Sequence, residues 1–589
     1  MNQIGVIGFV SPWIADWLTP VWILCLGVLA GVLLCAAVWC ITAALSMIPP
    51  IGSLAEKKAG RTYAAGVLFV IFGFLAIRWF IAPNFAAWRA EGTNVAIGNL
   101  LTAIIVLIPI SLGLAMACVH LVSRRMVSET WLAIREGVLW PLFIIGIVLS
   151  IFGLIGGFVS HQPLEILRSL KQLASTGSVV EQFEIEPAPR SEEFDEFSKP
   201  PQTTIPVQID RDQLHYLQFL SDQRLEVETF SELQDVSSSL NRTVLDVAPN
   251  ESVAWLASSS AFPEKQITEL FVRNFGRETA NLQLTIATRP VHPQVAVVPI
   301  AAIGVLTVFL LYLLQRAAMP RVSAIALATF KSEVAQPLFA ILLGVGCVAI
   351  IVFIWIPYFT LGDDIKMLKD TSLVWIMLTG IFQAVWAAST SVSEEIEGRT
   401  ALTVLSKPLG RRSFVIGKFL GIAWTVALLF IVMGFVLLVV VSYKPIYDAR
   451  ESGGTDVTWQ LCHFEVVRTV PGLVLALMET VVLAALSVAI STRLPLLVNL
   501  VICFAIYALG HLTPLIVQTS DERFEIVRFF GRFIATVFPN LDHFNIQAAV
   551  ATGTAIPLEY LGWSLVYCLV YTLIAMFLAL VMFEDRDLA

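Results

Sequence analysis

The chain has 589 residues, of which 57% are hydrophobic and only 14% are charged, and its mean hydropathy is +0.80. A water-soluble protein of this size needs far more polar surface to cover its core, so the composition excludes that class and predicts a membrane protein. The formal net charge is −8, and its acidic excess lies between Ser160 and Pro293; no basic tract with interleaved aromatic residues indicates nucleic-acid binding.

Eleven apolar stretches reach the roughly 20 residues that a helix needs to cross hydrocarbon. The first is longer than the core of a signal peptide and has no basic segment before it, so we expect it to be retained as a span. The predicted spans are 20–47, 62–81, 94–122, 137–160, 295–314, 337–359, 371–390, 413–441, 470–490, 494–517 and 560–583. The predicted fold class is an all-α polytopic membrane protein with about 11 transmembrane helices.

Lysine and arginine are concentrated in alternate loops, which predicts the orientation because basic loops stay on the cytoplasmic side. The richer loops follow spans one, three, five and seven, whereas those after spans two and six are poorer in base. We therefore expect a multi-pass protein of the plasma (inner) membrane with its N-terminus outside and its C-terminus in the cytoplasm. The polar segment between spans four and five is then outside.

This polar segment, residues 161–293, has a composition of its own. Its prolines and the acidic run from Glu181 to Glu196 predict a linker at its start. Farther on, apolar and polar residues alternate with period two in Ile205–Ile209, Leu225–Thr229 and Leu282–Ile286. The sequence Asn274-Phe275-Gly276 predicts a turn. Such alternation is typical of half-buried strands and predicts an inserted extracytoplasmic β-sandwich-like domain, either a spacer or a ligand- or partner-binding module.

The sequence contains no pattern of a catalytic or metal site. There is no GxxxxGK[ST] nucleotide-binding loop, no HExxH and no GxSxG, and the seven histidines are scattered singly. The eight cysteines form no CxxC pair, and none lies in the polar segment, so neither a zinc site nor a disulfide framework is predicted. We expect no catalytic residue, metal or cofactor on this chain.

Between spans seven and eight, Thr390–Ile422 forms a charged stretch that cannot lie in hydrocarbon. A short surface helix is predicted over about Ser393–Leu405, with acidic residues in its first turn, and Pro408 follows its end. Leu402 and Leu405 share one face of this helix, which could enter a groove on a partner protein.

In order, the charged stretch contains Glu394-Glu395, Glu397-Gly398-Arg399-Thr400, Leu402, Leu405, Lys407-Pro408, Arg411-Arg412 and Gly417-Lys418. This order, placed between the second and third of six spans, resembles the membrane subunit of ABC-2-type ABC transporters over about residues 321–589. The resemblance implies a cytoplasmic coupling helix that docks on a separate P-loop ABC ATPase, where ATP is bound. It assigns coupling to Glu394, Glu395, Glu397, Gly398, Arg399, Thr400, Leu402 and Leu405. We expect Arg411, Arg412 and Lys418 to anchor the next span at anionic headgroups.

Two amphipathic segments accompany the charged stretch. Val322–Val334 resembles the interfacial elbow helix that precedes the first span in this family. Asp521–Val537 has a charged stripe opposite an apolar face, and we expect it at the outer membrane surface.

Glu479 lies near the middle of the predicted span 470–490, where a carboxylate costs about 3 kcal/mol to insert. We expect it to face protein or water, with His511 or Asn499 as a neighbour. These three residues form a candidate intramembrane polar site, which either lines a transport path or provides a helix–helix hydrogen bond.

The predicted domains are a four-span region (1–160), the external segment (161–293), a fifth span with a connector (294–320) and a six-span permease domain (321–589). The resemblance implies a permease subunit that couples ATP hydrolysis on a partner chain to transport, with export favoured, as a homodimer or paired with a related permease. The alternative is a non-transporting membrane scaffold or sensor whose external domain binds an envelope partner.

Overall fold

The structure is a computed structural model. It describes residues 11–48, 58–82, 85, 89, 93–122, 124–173, 176–187, 202–210, 213–228, 244–256, 266–276, 278–358, 364–393, 395, 410–453, 457–520, 529, 533, 536, 538–545 and 556–584. The chain divides into two compact units. Met1–His161 and Val297–Ala589 together form the membrane unit, and Gln162–Ala296 forms the two-sheet unit.

Helices, most of them apolar, build the membrane unit. They are α1 (Pro12–Met47), α2 (Lys58–Ala76), α3 (Thr93–Leu121), α4 (Arg124–Glu136), α5 (Leu139–Ile155), α7 (Val297–Ala318), α8 (Pro320–Val334), α9 (Pro337–Val352), α10 (Asp364–Ala388), α11 (Arg411–Ser452), α12 (Trp459–Ser491), α13 (Leu496–Ser520) and α14 (Leu558–Glu584). A further helix, α6 (Pro163–Gln172), belongs to the two-sheet unit.

Nine helices in the described part of the chain are long and apolar enough to cross a membrane. The predicted span 62–81 overlaps α2, and the predicted span 94–122 matches α3. The apolar part of α2, Gly60–Ala76, is shorter than the nine spanning candidates. A polytopic helical membrane protein is thus confirmed, while the number of eleven spans stays a prediction.

Three helices form the centre of the membrane unit. In α10, α11 and α12, 67%, 61% and 61% of the most apolar segment is buried, against 22–33% in the other six spanning candidates. The peripheral helices therefore leave most of their apolar surface for lipid. Two buried lysines on the central helices are paired, as burial requires: Lys369 of α10 with Glu465 of α12, and Lys444 with Asp448 at 2.9 Å.

The first helix packs against the central helices through its indole groups. Trp17 Nε1 donates to the carbonyl of Val439 in α11 at 3.1 Å, and Ser442 Oγ donates to the carbonyl of Trp17 at 2.7 Å. Trp22 Nε1 donates to the carbonyl of Gly153 at 2.9 Å. These bonds hold the N-terminal helices and the later helices in one unit.

The two-sheet unit contains two four-stranded antiparallel sheets. The strands are β1 (Ser178–Ile185), β2 (Thr203–Asp210), β3 (Leu214–Ser221), β4 (Leu225–Glu228), β5 (Leu245–Val247), β6 (Ser252–Leu256), β7 (Gln266–Asn274) and β8 (Ala280–Thr288). The first sheet has the order β1-β8-β3-β6 and the second the order β2-β7-β4-β5. This confirms the predicted β-rich inserted domain.

Side chains from both sheets form a single buried cluster, which means that the sheets pack face to face. Leu217, Phe219 and Leu284 of the first sheet meet Val227 and Val272 of the second. The predicted turn lies between β7 and β8, where the Gly276 N–H donates to Asn274 Oδ1 at 2.7 Å.

The start of the segment differs from the predicted linker. Residues 178–185 form β1, which pairs with β8 from Ser178↔Ala287 to Ile185↔Ala280. Only Ile185 of this edge strand is buried, so the sequence has no period-two pattern to announce it. Pro163 begins α6 at a position where proline is well tolerated. Residues 188–201 of the predicted linker lie outside the described residues.

We predict that Phe219→Ala destabilises the two-sheet unit by about 3–5 kcal/mol, because the buried ring contacts Trp255 edge-on at 5.5 Å and its removal leaves a cavity. Urea-dependent pulse proteolysis of the full-length chain, followed at cleavage sites within Gln162–Ala296, measures this loss. The control Val180→Ala removes a half-exposed side chain of β1 and should change stability by less than about 0.5 kcal/mol. Equal resistance of the two variants would contradict the face-to-face core.

Candidate functional site

Only one of the eight predicted coupling residues, Glu395, lies among the described residues. The others, which lie outside them, are Glu394, Glu397, Gly398, Arg399, Thr400, Leu402 and Leu405. The site is therefore built from what flanks them: the end of α10, the start of α11, α8 and Glu395 itself.

An ion pair joins Glu395 to the first turns of α11. Lys418 Nζ lies 2.6 Å from Glu395 Oε1, and the ammonium also sits 5.5 Å from the centroid of the Phe414 ring. Lys418 is 7% exposed. This position differs from that of a headgroup anchor, because a buried ammonium is stabilised by a carboxylate and an aromatic face rather than by lipid phosphates.

The two arginines at the start of α11 are exposed, unlike Lys418. Arg411 donates through a guanidinium nitrogen to the carbonyl of Glu584 at 2.8 Å, at the end of α14. Phe414 and Phe583 stack one turn inside, with ring centroids 5.8 Å apart. The start of α11 is thus fastened to the last helix, and Arg412 stays accessible beside it.

Helix α8 crosses the start of α11 at very close range. A Cβ atom on Gly417 would lie 2.7 Å from Ile325 Cβ, and one on Gly421 would lie 2.6 Å from Thr329 Cβ. Only glycine permits this approach. The amphipathic helix predicted at Val322–Val334 is present as α8, and its buried face covers α11.

The end of α10 and the turn after it are held by polar contacts to the end of α8 and to Gln336, which follows α8. Trp386 Nε1 donates to Gln336 Oε1 at 3.0 Å, and Thr390 Oγ1 lies 3.4 Å from Glu333 Oε1. Beyond Ala388 the helix widens into a π-helical turn, Ser389–Ser393, immediately before the part of the charged stretch that lies outside the described residues. Such turns are frequent at functional positions.

Asn499 belongs to this same end of the helices, away from Glu479. Its Nδ2 lies 3.0 Å from Ser389 Oγ, 2.9 Å from Ser487 Oγ and 2.7 Å from Ser491 Oγ. One buried amide thereby connects α10, α12 and α13. Ser487 is eight residues from Glu479, about 12 Å along the helix.

His511, by contrast, does lie beside Glu479. The His511 Nε2 to Glu479 Oε1 distance is 3.6 Å, and both side chains line a small pocket between α10, α12 and α13. The structure thus brings together two members of the predicted polar site and separates the third.

The second amphipathic segment, Asp521–Val537, lies outside the described residues except for three positions. Of these, Phe529 and Phe533 are exposed and stack on each other with centroids 6.3 Å apart.

A family model described as "ABC-2 family transporter protein" matches residues 127–588, more than half of the chain. The chain belongs to the ABC-2 transporter family. A search of curated proteins and a search of solved structures each found no match.

The ABC-2 match begins at residue 127 rather than near residue 321, so it includes α5, the two-sheet unit and α7. The match thus confirms the resemblance found over about residues 321–589 and extends it toward the N-terminus. ABC-2 permeases are membrane components of transporters, are not themselves catalytic, and normally work with an ABC ATPase.

Sequence reasoning missed the contacts that organise this end of the ABC-2 chain. The small-x-x-x-small spacing of Gly417 and Gly421 is a recognisable signal for close helix packing. The Glu395–Lys418 pair and the Ser389–Asn499 contact have no such signal, because their partners are 23 and 110 residues apart in the sequence.

We predict that Gly421→Ala lowers the thermal unfolding midpoint of the purified chain, at a cost of about 1–3 kcal/mol, because its methyl group would overlap α8. Gly344→Ala is the matched control: nothing lies within 4 Å of the position that its Cβ would take. That variant should leave the midpoint unchanged or raise it slightly, since alanine favours helix. Equal midpoints for both variants would contradict the close crossing of α8 and α11.

Proposed function

We propose that this chain is the permease subunit that couples ATP hydrolysis by a separate P-loop ABC ATPase to transport, with export as the direction. The family match supports a transporter permease. The observation that carries the coupling proposal is the ion pair between Glu395 of the charged stretch and Lys418 of α11.

The ion pair matters because a displacement of the charged stretch would be passed to the whole of α11. The helix runs for 42 residues from Arg411 to Ser452, and most of its apolar segment is buried against its neighbours. Such a packed helix moves as a body. An ATPase that pulls on the charged stretch would therefore move the centre of the membrane unit through Lys418, while α8 follows through its glycine contacts.

We assign docking on the ATPase to Glu394, Glu395, Glu397, Gly398, Arg399, Thr400, Leu402 and Leu405, by their place in the family's motif. The remaining parts of the proposal follow from the basic loops and the resemblance. The chain lies in the plasma (inner) membrane with its N-terminus outside and its C-terminus in the cytoplasm, and the two-sheet unit is extracytoplasmic. Two copies, or one copy and a related permease, pair to enclose the path, and Arg411 and Arg412 meet the anionic headgroups.

We predict that Glu395→Arg abolishes the permease-coupled ATP hydrolysis of the ATPase that co-purifies with the tagged chain, because two cations then face each other at the root of the charged stretch. The double swap Glu395→Lys with Lys418→Glu restores the pair and should recover a large part of this activity. ATP hydrolysis and the amount of bound ATPase are measured on the same detergent preparation.

The control is Glu451→Arg, an equal charge change on an exposed residue at the other end of α11, which should leave coupled hydrolysis intact. Unchanged hydrolysis in Glu395→Arg would refute the coupling role. If no ATPase co-purifies with the unaltered chain, the permease proposal itself fails.

A further inference from the structure

A small pocket between α10, α12 and α13 combines acidic and apolar walls. Its volume is about 120 Å³, which leaves room for several water molecules. Asp370, Glu479, Tyr507, His511 and Asn545 supply polar groups, and Leu373, Val374, Met377, Ala476 and Phe544 supply apolar ones. Two carboxylates line it and no lysine or arginine does; Lys369, next to Asp370, is paired with Glu465.

Glu479 is unusual among the residues that line this pocket, because it is an acidic side chain buried within a membrane-spanning helix. It is 2% exposed, on the membrane-spanning helix α12, and its Oε1 accepts no hydrogen bond from the described residues. An acceptor buried in this way is costly unless something donates to it. His511 Nε2 lies 3.6 Å from Glu479 Oε1, beyond hydrogen-bond distance.

The other nitrogen of the His511 ring faces a backbone carbonyl. Nδ1 lies 3.2 Å from the backbone carbonyl of Tyr507. A carbonyl only accepts, so Nδ1 carries the hydrogen and the Nε2 of a neutral ring presents a lone pair. Nε2 and Oε1 are then both acceptors, and a donor that lies beside them in the pocket reaches both.

We propose that this pocket binds the protonated amine of a small organic cation, with the ammonium N–H groups donating to Glu479 Oε1 and His511 Nε2. An ammonium supplies several donors and a positive charge, which an acidic lining favours. The apolar walls fit the carbons attached to it. A metal ion fits less well, because no group of three or more His, Cys, Asp or Glu side chains in the described part of the chain could hold one.

That this amine belongs to the transported cargo rests on the proposed transport function, whereas the binding itself does not. Two of the three helices around the pocket, α10 and α12, are central helices that the ATPase would move, so a cargo amine held there would be released when α12 shifts against α10 and α13. The binding test therefore uses the purified full-length chain without its ATPase.

The probe is ethylammonium at pH 8, where a primary alkylamine is protonated. Saturation-transfer NMR of its methyl group and the thermal unfolding midpoint are followed as the probe is titrated, with ethanol, sodium propionate and sodium chloride as matched solutes. We expect saturable binding of ethylammonium alone. We expect Glu479→Gln to weaken it by about tenfold or more, since a charge-assisted bond is lost.

Ala476→Val is a second pocket variant, which tests the proposal even if Glu479→Gln does not fold. It fills the pocket without changing its charge and should abolish the saturable binding signal. Glu451→Gln, outside the pocket, should bind as the unaltered chain does. Binding that does not saturate, that ethanol or sodium chloride reproduces, or that survives both pocket variants would overturn the proposal. If the unaltered chain binds ethylammonium but couples to no ATPase, the transport function alone is refuted and the binding proposal stands.

Discussion

The structure depends on a rule of the hydrocarbon environment: a charge or a buried polar group must find its partner inside the protein. The Lys418–Glu395 pair obeys it at the start of α11, and Lys444–Asp448 obeys it near the end of the same helix. The first pair matters most, because it joins a charged segment that must lie outside the hydrocarbon to the most extensive helix of the membrane unit. A movement of the charged segment is therefore passed on to α11.

Glycine contacts set the second constraint. Gly27 and Gly31 of α1 come so close to α7 that a Cβ atom on either would lie within 2.7 Å of a side chain there. Gly417 and Gly421 of α11 make the equivalent approach to α8, which follows α7 directly in the chain. Through these glycines, α7 packs closely on α1 and α8 packs closely on α11. The consecutive helices α7 and α8 therefore connect the N-terminal helices to the later ones in one unit.

The sequence predicts much of this fold because hydrophobic length and period-two alternation are local signals. Long apolar runs identify the helices, and Leu282–Ile286 identifies β8. The edge strand β1 was not predicted, because only Ile185 of its eight residues is buried. The candidate site was less predictable: the motif pointed to Glu395, but the burial of Lys418 and the serine partners of Asn499 depend on helices that meet only in three dimensions.

The central claim is that the end of α11 carrying Arg411, Arg412 and the charged stretch faces the compartment of the ATPase. The most direct test replaces the eight native cysteines and introduces Arg412→Cys or Glu451→Cys, exposed positions near opposite ends of α11. Sealed vesicles of known orientation are then treated with a membrane-impermeant maleimide. The account predicts that Arg412→Cys reacts in inside-out vesicles and Glu451→Cys in right-side-out vesicles; the reverse pattern would contradict it.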